Sequence, residues 1–240
     1  MKDKGTLKSS FENLGLSPAQ RLAVLFLNYI PFLHTAAVAC TAILPWAAPP
    51  WRIVAAVLLL YLAPPLVARA ILRLWPIREG HIHMPSRDYF AWWALLNLQV
   101  VFCRLTFLEE LIRLIPGAYS VWLRLWGAHI GAFVYWAAGL RILDRSFLDI
   151  GHGVAFGAGV RLNPHVIARD EQGRLELLLA TVHIGDGALI GGYGLLTSGT
   201  RVEDGEVTRA CLLSAPFSHW KGGKRIKPDN AAGPTDEAGA

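Results

Sequence analysis

The sequence predicts a mainly β protein: a left-handed parallel β-helix, with an N-terminal α-helical transmembrane hairpin and interfacial helices ahead of it. Three observations predict it. From Gly127 onward the apolar residues recur every six positions, and self-similarity at a fixed period marks a solenoid. Near the start, two apolar runs stand back to back. Of the 240 residues, 53% are apolar and 17% charged, where soluble domains carry roughly 45–50% and about 25%. That departure points to lipid, as do nine Trp and six Tyr, whose amphipathic rings favour the headgroup level.

Taken in order, residues 1–20 are polar and form a cytoplasmic segment, with Ser17 and Pro18 as an N-cap and N1 pair. Residues 22–51 contain no Asp, Glu, Lys or Arg and exceed the roughly 20 residues needed to cross hydrocarbon. Pro45, Pro49 and Pro50 turn the chain. A second run, 53–68, lies between Arg52 and Arg69; it is short, but Arg stems snorkel to the interface. Together with a linker these runs make a transmembrane hairpin over 21–87. Lys2, Lys4, Lys8 and Arg21 precede it, Arg69, Arg73, Arg78 and Arg87 follow it, and the connecting loop offers only Arg52. By the positive-inside rule both ends are cytoplasmic. His34 inside the first run reads as a helix-contact residue, having no acidic partner in the sequence.

The net charge of +5 suits a basic surface against anionic lipid. Its basic residues flank apolar runs and no nucleic-acid-binding motif is present, so no nucleic-acid partner is expected. Cys40, Cys103 and Cys211 are widely spaced, lack a metal-ligand pattern and read as reduced packing residues. Residues 88–126 read as one or two amphipathic helices in the interface, broken at Pro116-Gly117. Glu109 and Arg113 stand at i,i+4 in the favoured order. A third transmembrane helix over 89–115 stays open as the alternative.

The β-helix is assigned to 127–215. Ile150, Phe156 and Leu162 are each followed by Gly151, Gly157 and Asn163, and four places on come Val154, Val160 and Val166. Ile184-Gly185 with Ala188, Ile190-Gly191 with Gly194, Leu196, and earlier Ile130-Gly131 with Val134 repeat the pattern. The first residue of each hexapeptide points inward and neighbouring coils bury each other's faces. The alternation of period two that a sandwich requires is absent. The phase slips between Leu148 and Ile150. Residues 168–181 interrupt the period and read as a loop expelled from a coil. The hexapeptides suffice for roughly four coils, and 216–240 reads as a disordered tail.

The segments "IGHGVAFGAGVRLNPHVI" and "VHIGDGALIGGYGLLTSGTRVEDG", separated by the expelled loop, resemble the hexapeptide-repeat acyltransferases, the superfamily of serine, maltose and xenobiotic acetyltransferases. The stretch "FLEELIRLIPGAYSVWLRLWGAHIG" resembles the membrane-linked units in the C-terminal region of ε-poly-lysine synthetase-type proteins. The resemblance implies acyl transfer from acyl-CoA or an acyl-carrier protein to a hydroxyl or amine. It implies a homotrimer, with the pantetheine arm in a groove between subunits. It also implies a bacterial inner-membrane location with the catalytic domain in the cytoplasm, and a lipid or lipid-linked acceptor. In such enzymes the catalytic His ends a coil just before the expelled loop, where His165 stands. Imidazole suits a general base because its ordinary pKa is about 6.5. Asn163 either takes a left-handed conformation at a corner, which Asn tolerates, or binds the acceptor. Tyr193, Thr197 and Ser198 are candidate lining residues of the groove.

His129, His152 and His183 each stand beside an Ile-Gly step and read as surface residues; no metal is expected. The chain departs from many acetyltransferases in ending on "LLSAPFSHWKGG" rather than a Gly-Asn-Pro-Ala motif, which leaves a carrier-protein donor open. The second reading is a non-catalytic trimeric scaffold or export partner of a lipid, polysaccharide or non-ribosomal peptide system. The sequence names neither acceptor nor acyl chain.

Overall fold

A computed structural model describes residues 16–226. The chain opens with helices α1 (Pro18–Asn28) and α2 (Ile30–Ile43), then α3 (Pro49–Leu74). Ser17 and Gln20 form a capping box at the start of α1, which satisfies two otherwise orphan N–H groups. The stretch Pro18–Ile43 and helix α3, 26 residues each, are long and apolar enough to cross a membrane. Helix α3 runs past the expected end of the second run, to Leu74. Pro64 and Pro65 lie inside it and are buried; lacking N–H groups, they leave the carbonyls of Leu60 and Tyr61 without helical donors. Trp122 Nε1 supplies one, donating to the Tyr61 carbonyl at 2.8 Å. His34 Nε2 donates to the Leu59 carbonyl at 3.2 Å, so it does join the two long helices.

Strand β1 (Gly80–His83) leads to helices α4 (Arg87–Arg104), α5 (Phe107–Arg113) and α6 (Ala118–Leu125). This corrects the expected one or two interfacial helices. The chain breaks at Leu105-Thr106 as well as before Gly117, and α4 and α5 meet at 80°. Nor is α4 a one-sided interfacial helix. Tyr89, Trp92, Leu95, Leu98, Val101 and Phe102 are all buried, between the long helices and the β domain. One continuous core runs from Ala68, Trp92 and Phe102 through Trp126 into Ile130 and Ile150. Each such large side chain contributes about 1.5–3 kcal/mol by leaving water.

The β domain is a three-sided parallel helix. Its first coil is β2 (His129–Ile130), β3 (Tyr135–Trp136) and β4 (Arg141–Ile142); its second is β5 (Leu148–Ile150), β6 (Ala155–Phe156) and β7 (Arg161–Asn163). A hairpin of β8 (His165–Arg169) and β9 (Leu175–Leu179) follows. The third coil is β10 (Val182–Ile184), β11 (Leu189–Ile190) and β12 (Leu195–Thr197). The fourth is β13 (Arg201–Val202), a bridge at Val207, and β14 (Leu213–Ser214). Pairing is parallel from coil to coil on each face: β2-β5-β10-β13 on the first, β3-β6-β11 on the second, β4-β7-β12-β14 on the third.

The period of six has a steric origin. Ile130, Ile142, Ile150, Phe156, Leu162, Ile184, Ile190, Leu196 and Val202 are buried at the repeat position. Three residues after all of these but Ile142 and Leu162, and after the half-buried Trp136, the backbone turns the corner with positive φ, at Phe133, Gly139, Gly153, Gly159, Gly187, Tyr193, Gly199 and Gly205. Gly is favoured there because it adopts that conformation without strain. The Gly following the inward residue serves a different need. A Cβ on Gly151 would come within 2.7 Å of the Asp186 nitrogen in the next coil.

The interruption leaves its coil as an ordered hairpin: β8 and β9 pair antiparallel from His165 onward, and β9 pairs with β1. The segment from 216 is not wholly a disordered tail. Strand β15 (His219–Lys221) adds to β13, and β16 (Lys224–Ile226) folds back on it. Residues 227–240 and 1–15 lie outside the described residues.

Candidate active site

Two departures from the six-residue period fall at the same corner, between the third face and the first. In the first coil Ile142 and Ile150 stand eight positions apart, and the extra residues sit in the corner 143–147. That is earlier than the slip expected between Leu148 and Ile150. In the second coil the same corner expels the β8–β9 hairpin. Because consecutive coils stack, the two irregular corners stack too, and Asp144 meets His165.

Asp144 is 1% exposed and turns with φ +50. Its Oδ2 is bonded to His165 Nδ1 and its Oδ1 accepts from Trp92 Nε1 at 2.8 Å. The Trp92 ring packs edge-on against the imidazole, centroids 4.9 Å apart. An ionised carboxylate only accepts, so Nδ1 carries the proton and Nε2 the lone pair. Among the described residues no hydrogen bond reaches Nε2, and the His165 side chain is 16% exposed. Burial by itself would lower the imidazole pKa. The charge of Asp144 and its hydrogen bond outweigh burial and hold the pKa above its ordinary value. Such an arrangement can serve as a base, with its tautomer fixed and a partner that stabilises its protonated form.

A buried ionic network clamps this corner from above. Arg145 donates from Nε to Glu109 Oε1 at 2.8 Å, and from its backbone N–H and Nη1 to Gln99 Oε1 at 2.8 and 2.9 Å; its Nη2 also bonds Glu109. Glu109 Oε2 accepts from Arg113 at 2.9 Å and from the Tyr119 hydroxyl at 2.8 Å. The i,i+4 pair is therefore real, but Glu109 faces inward and is buried. Burial opposes the charge of Arg145, yet the Glu109 carboxylate dominates and keeps its pKa raised.

Asn163 is not at a left-handed corner. It ends β7, paired with Thr197, and lines a cavity of about 170 Å³ with Cys103, Thr106, Glu109, Arg145 and Arg161. Tyr193 does take the left-handed corner, φ +57, and is 72% exposed. Thr197 and Ser198 are buried, and Thr197 Oγ1 donates to the Ser214 carbonyl at 2.7 Å. Neither faces an open groove within this chain. His165, Asn163 and the 143–147 corner thus gather under α4, while Tyr193, Thr197 and Ser198 do not join them.

Elsewhere on the prism, His129 and His183 are not isolated. Both bond Asp149, at 2.7 and 3.0 Å. Burial raises the Asp149 pKa, but these hydrogen bonds outweigh it and leave it lowered. His152 Nδ1 accepts from the Ala132 N–H at 3.1 Å. Among the described residues no group of three or more His, Cys, Asp or Glu is arranged to hold a metal ion.

Sequence reasoning singled out His165 and did not single out the Asp144, Trp92, Gln99 and Arg145 that surround it. The signal for Asp144 was the period slip itself, which marks a corner doing something other than turning.

No family model matches the chain, and no curated protein matches it. Among solved structures, a hexapeptide-repeat acetyltransferase from Vibrio cholerae complexed with acetyl-CoA is 15% identical, covered over 55% of this chain and 88% of that one, with a TM-score of 0.38. A maltose O-acetyltransferase from Clostridium difficile is 20% identical over 55% and 87%, with a TM-score of 0.37. A galactoside acetyltransferase in complex with coenzyme A is 12% identical over 54% and 82%, with a TM-score of 0.32. The parallel β-helix rests on its own strand pairing, and the chemistry of the corner on its own geometry.

Proposed function

We propose that the chain is a membrane-anchored acyltransferase, moving an acyl group, acetyl first of all, from a CoA or carrier-protein thioester to a hydroxyl or amine of a membrane-associated acceptor. One observation carries the reading: an imidazole at the expelled-loop corner, oriented by a buried carboxylate, with Nε2 free of partners among the described residues. In the proposed reaction Nε2 takes the acceptor's proton as its oxygen or nitrogen attacks the thioester carbonyl. The C–S bond then breaks, and the imidazolium returns the proton to the departing thiolate. Asn163, at the cavity edge two residues before the base, is proposed to hold the acceptor.

The two helices of membrane length support the anchor. The charge flanks favour an inner-membrane location with the β-helix in the cytoplasm. Left-handed winding and a homotrimer belong to the same reading. A scaffold needs no ion-paired imidazole, so the dyad favours catalysis over the alternative. The test has two steps. Mass spectrometry of lipids and metabolites from cells with and without the protein finds the acylated product. Purified His165→Ala then loses about 10²–10⁴-fold in rate while staying folded, although it melts lower than the wild type because buried Asp144 has lost a partner. Full turnover by that variant sinks the mechanism.

A further inference from the structure

The third face carries two arginines that nothing among the described residues neutralises. Arg141 on β4 and Arg161 on β7 are direct partners across the ladder, where neighbouring strands lie about 4.8 Å apart. Both residues are exposed. Among the described residues neither guanidinium has a hydrogen bond or ion pair. Like charges directly opposite each other destabilise a sheet, so this pair is a cost to the folded chain. A carboxylate does reach this edge: Glu110 Oε1 accepts from the Gly139 N–H at 3.0 Å. It is already engaged by Arg113 at 2.6 Å.

The pair also stands at a junction. Arg141 and Arg161 line the 170 Å³ cavity that holds Asn163 and Arg145. They equally line an outer cleft of about 530 Å³ with Gly139, Gly159, Tyr193 and Leu195. The Tyr193 ring forms a wall of that cleft. It lies over Gly159, where a Cβ would come within 2.7 Å of it. The two guanidiniums thus stand where the cleft and the Asn163 cavity adjoin.

We infer that Arg141 and Arg161 form a subsite for a phosphate or diphosphate group on the ligand that reaches the Asn163 cavity. A guanidinium presents a planar fork of donors that matches phosphate oxygens bidentately. Two forks on adjacent strands can share one diphosphate, and the anion removes the repulsion between them. The group has two possible sources, a lipid headgroup and the acyl donor. Arg141 lies on the first coil, next to α5, the end of the prism joined to the long apolar helices. That position favours the headgroup of a lipid-linked acceptor, a choice that rests on the membrane-anchored reading above.

The test uses the full chain in detergent, titrated calorimetrically with inorganic pyrophosphate, geranyl diphosphate and coenzyme A. The wild type is expected to bind geranyl diphosphate, and the double variant Arg141→Gln/Arg161→Gln to bind it at least tenfold more weakly. Without ligand the double variant should melt no lower than the wild type, because a like-charge pair has been removed. Weakening of geranyl diphosphate and pyrophosphate with coenzyme A unchanged supports the lipid source. Weakening confined to coenzyme A keeps the phosphate subsite and overturns the lipid source. If the wild type binds none of the three, or the double variant binds all of them equally well, the subsite is overturned. Should the double variant fail to fold, Arg161→Lys decides alone. It keeps the charge and loses the fork, so at least threefold weaker binding is expected, and unchanged binding overturns the inference. No turnover is needed, so failure here leaves the His165 dyad standing, and an inactive enzyme that still binds these probes leaves the subsite standing.

Discussion

His165 and Asp144 form a matched pair in which each compensates a cost of the other's burial. The carboxylate, 1% exposed, would be expensive to bury alone. It is satisfied by Trp92 and by the imidazole. The imidazole in turn is held with its pKa above the ordinary value. The sign for activity follows directly. A general base must be neutral, so acyl transfer should fall as pH drops through that raised pKa. In Asp144→Asn the raising influences disappear and burial, which lowers the pKa, remains. The acid limb of kcat/KM should therefore move to lower pH while the plateau falls, because the ring tautomer is no longer fixed. Identical acid limbs in the two proteins would remove Asp144 from the mechanism. For stability the sign is opposite. A group whose pKa is raised on folding stabilises the native state below its unfolded pKa of about 6.5. That contribution is lost as pH rises through the raised value. His165 was legible in the sequence because it abuts the expelled segment. Asp144 was legible only as far as its corner: the slipped period marks the turn, but not the pairing of its acid with an imidazole 21 residues on.

At the scale of elements, the hexapeptide coils were legible and α4 was not, for one physical reason. A coil repeats its own constraint every six residues: an apolar residue inward, a small one where strands approach, a left-handed turn at the corner. Those are local and show in composition. Helix α4 instead takes its meaning from partners far along the chain, Gln99 and Arg145 being 46 residues apart and Trp92 and Asp144 52. Its polar side chains face a protein interior, so its sequence resembles a short apolar interfacial segment. The clamp should dominate local stability. Glu109→Gln leaves Arg145 as a buried charge whose countercharge is gone, a change that typically costs about 3–5 kcal/mol. Chemical denaturation should read a loss of that order. Glu110→Gln, at a half-exposed carboxylate, should cost about 1 kcal/mol or less. Equal losses in the two variants would mean that Arg145 finds another partner when Glu109 is neutralised.

For the whole molecule, the proposed anchor makes the side of the membrane that carries the β-helix depend on α4. Two crossings return the chain to its starting side; a third, over α4 and α5, would place the β-helix opposite. Three observations argue for two. Helix α4 is packed on the β domain through Trp92 to Asp144 and Gln99 to Arg145, so its polar contacts belong to protein and not to hydrocarbon. The 80° bend at Leu105-Thr106 turns α5 away from any straight path across a bilayer. The charges agree, since Arg69, Arg73, Arg78 and Arg87 follow α3. Arg52, the loop's own cation, donates to the carbonyls of Ile43 and Leu44 at 2.8 and 3.3 Å, where it terminates α2. We therefore predict that a reporter active only in the periplasm is silent when fused after Ala240 and active when inserted at Ala47, between the two long helices. Activity after Ala240 would give three crossings, put the dyad on the side without cytosolic CoA, and remove the donor on which the proposed reaction depends. Silence at both positions would mean that the hairpin does not cross at all, leaving the exposed apolar side chains Phe26, Phe32, Trp46 and Trp51 to be covered by lying on one leaflet.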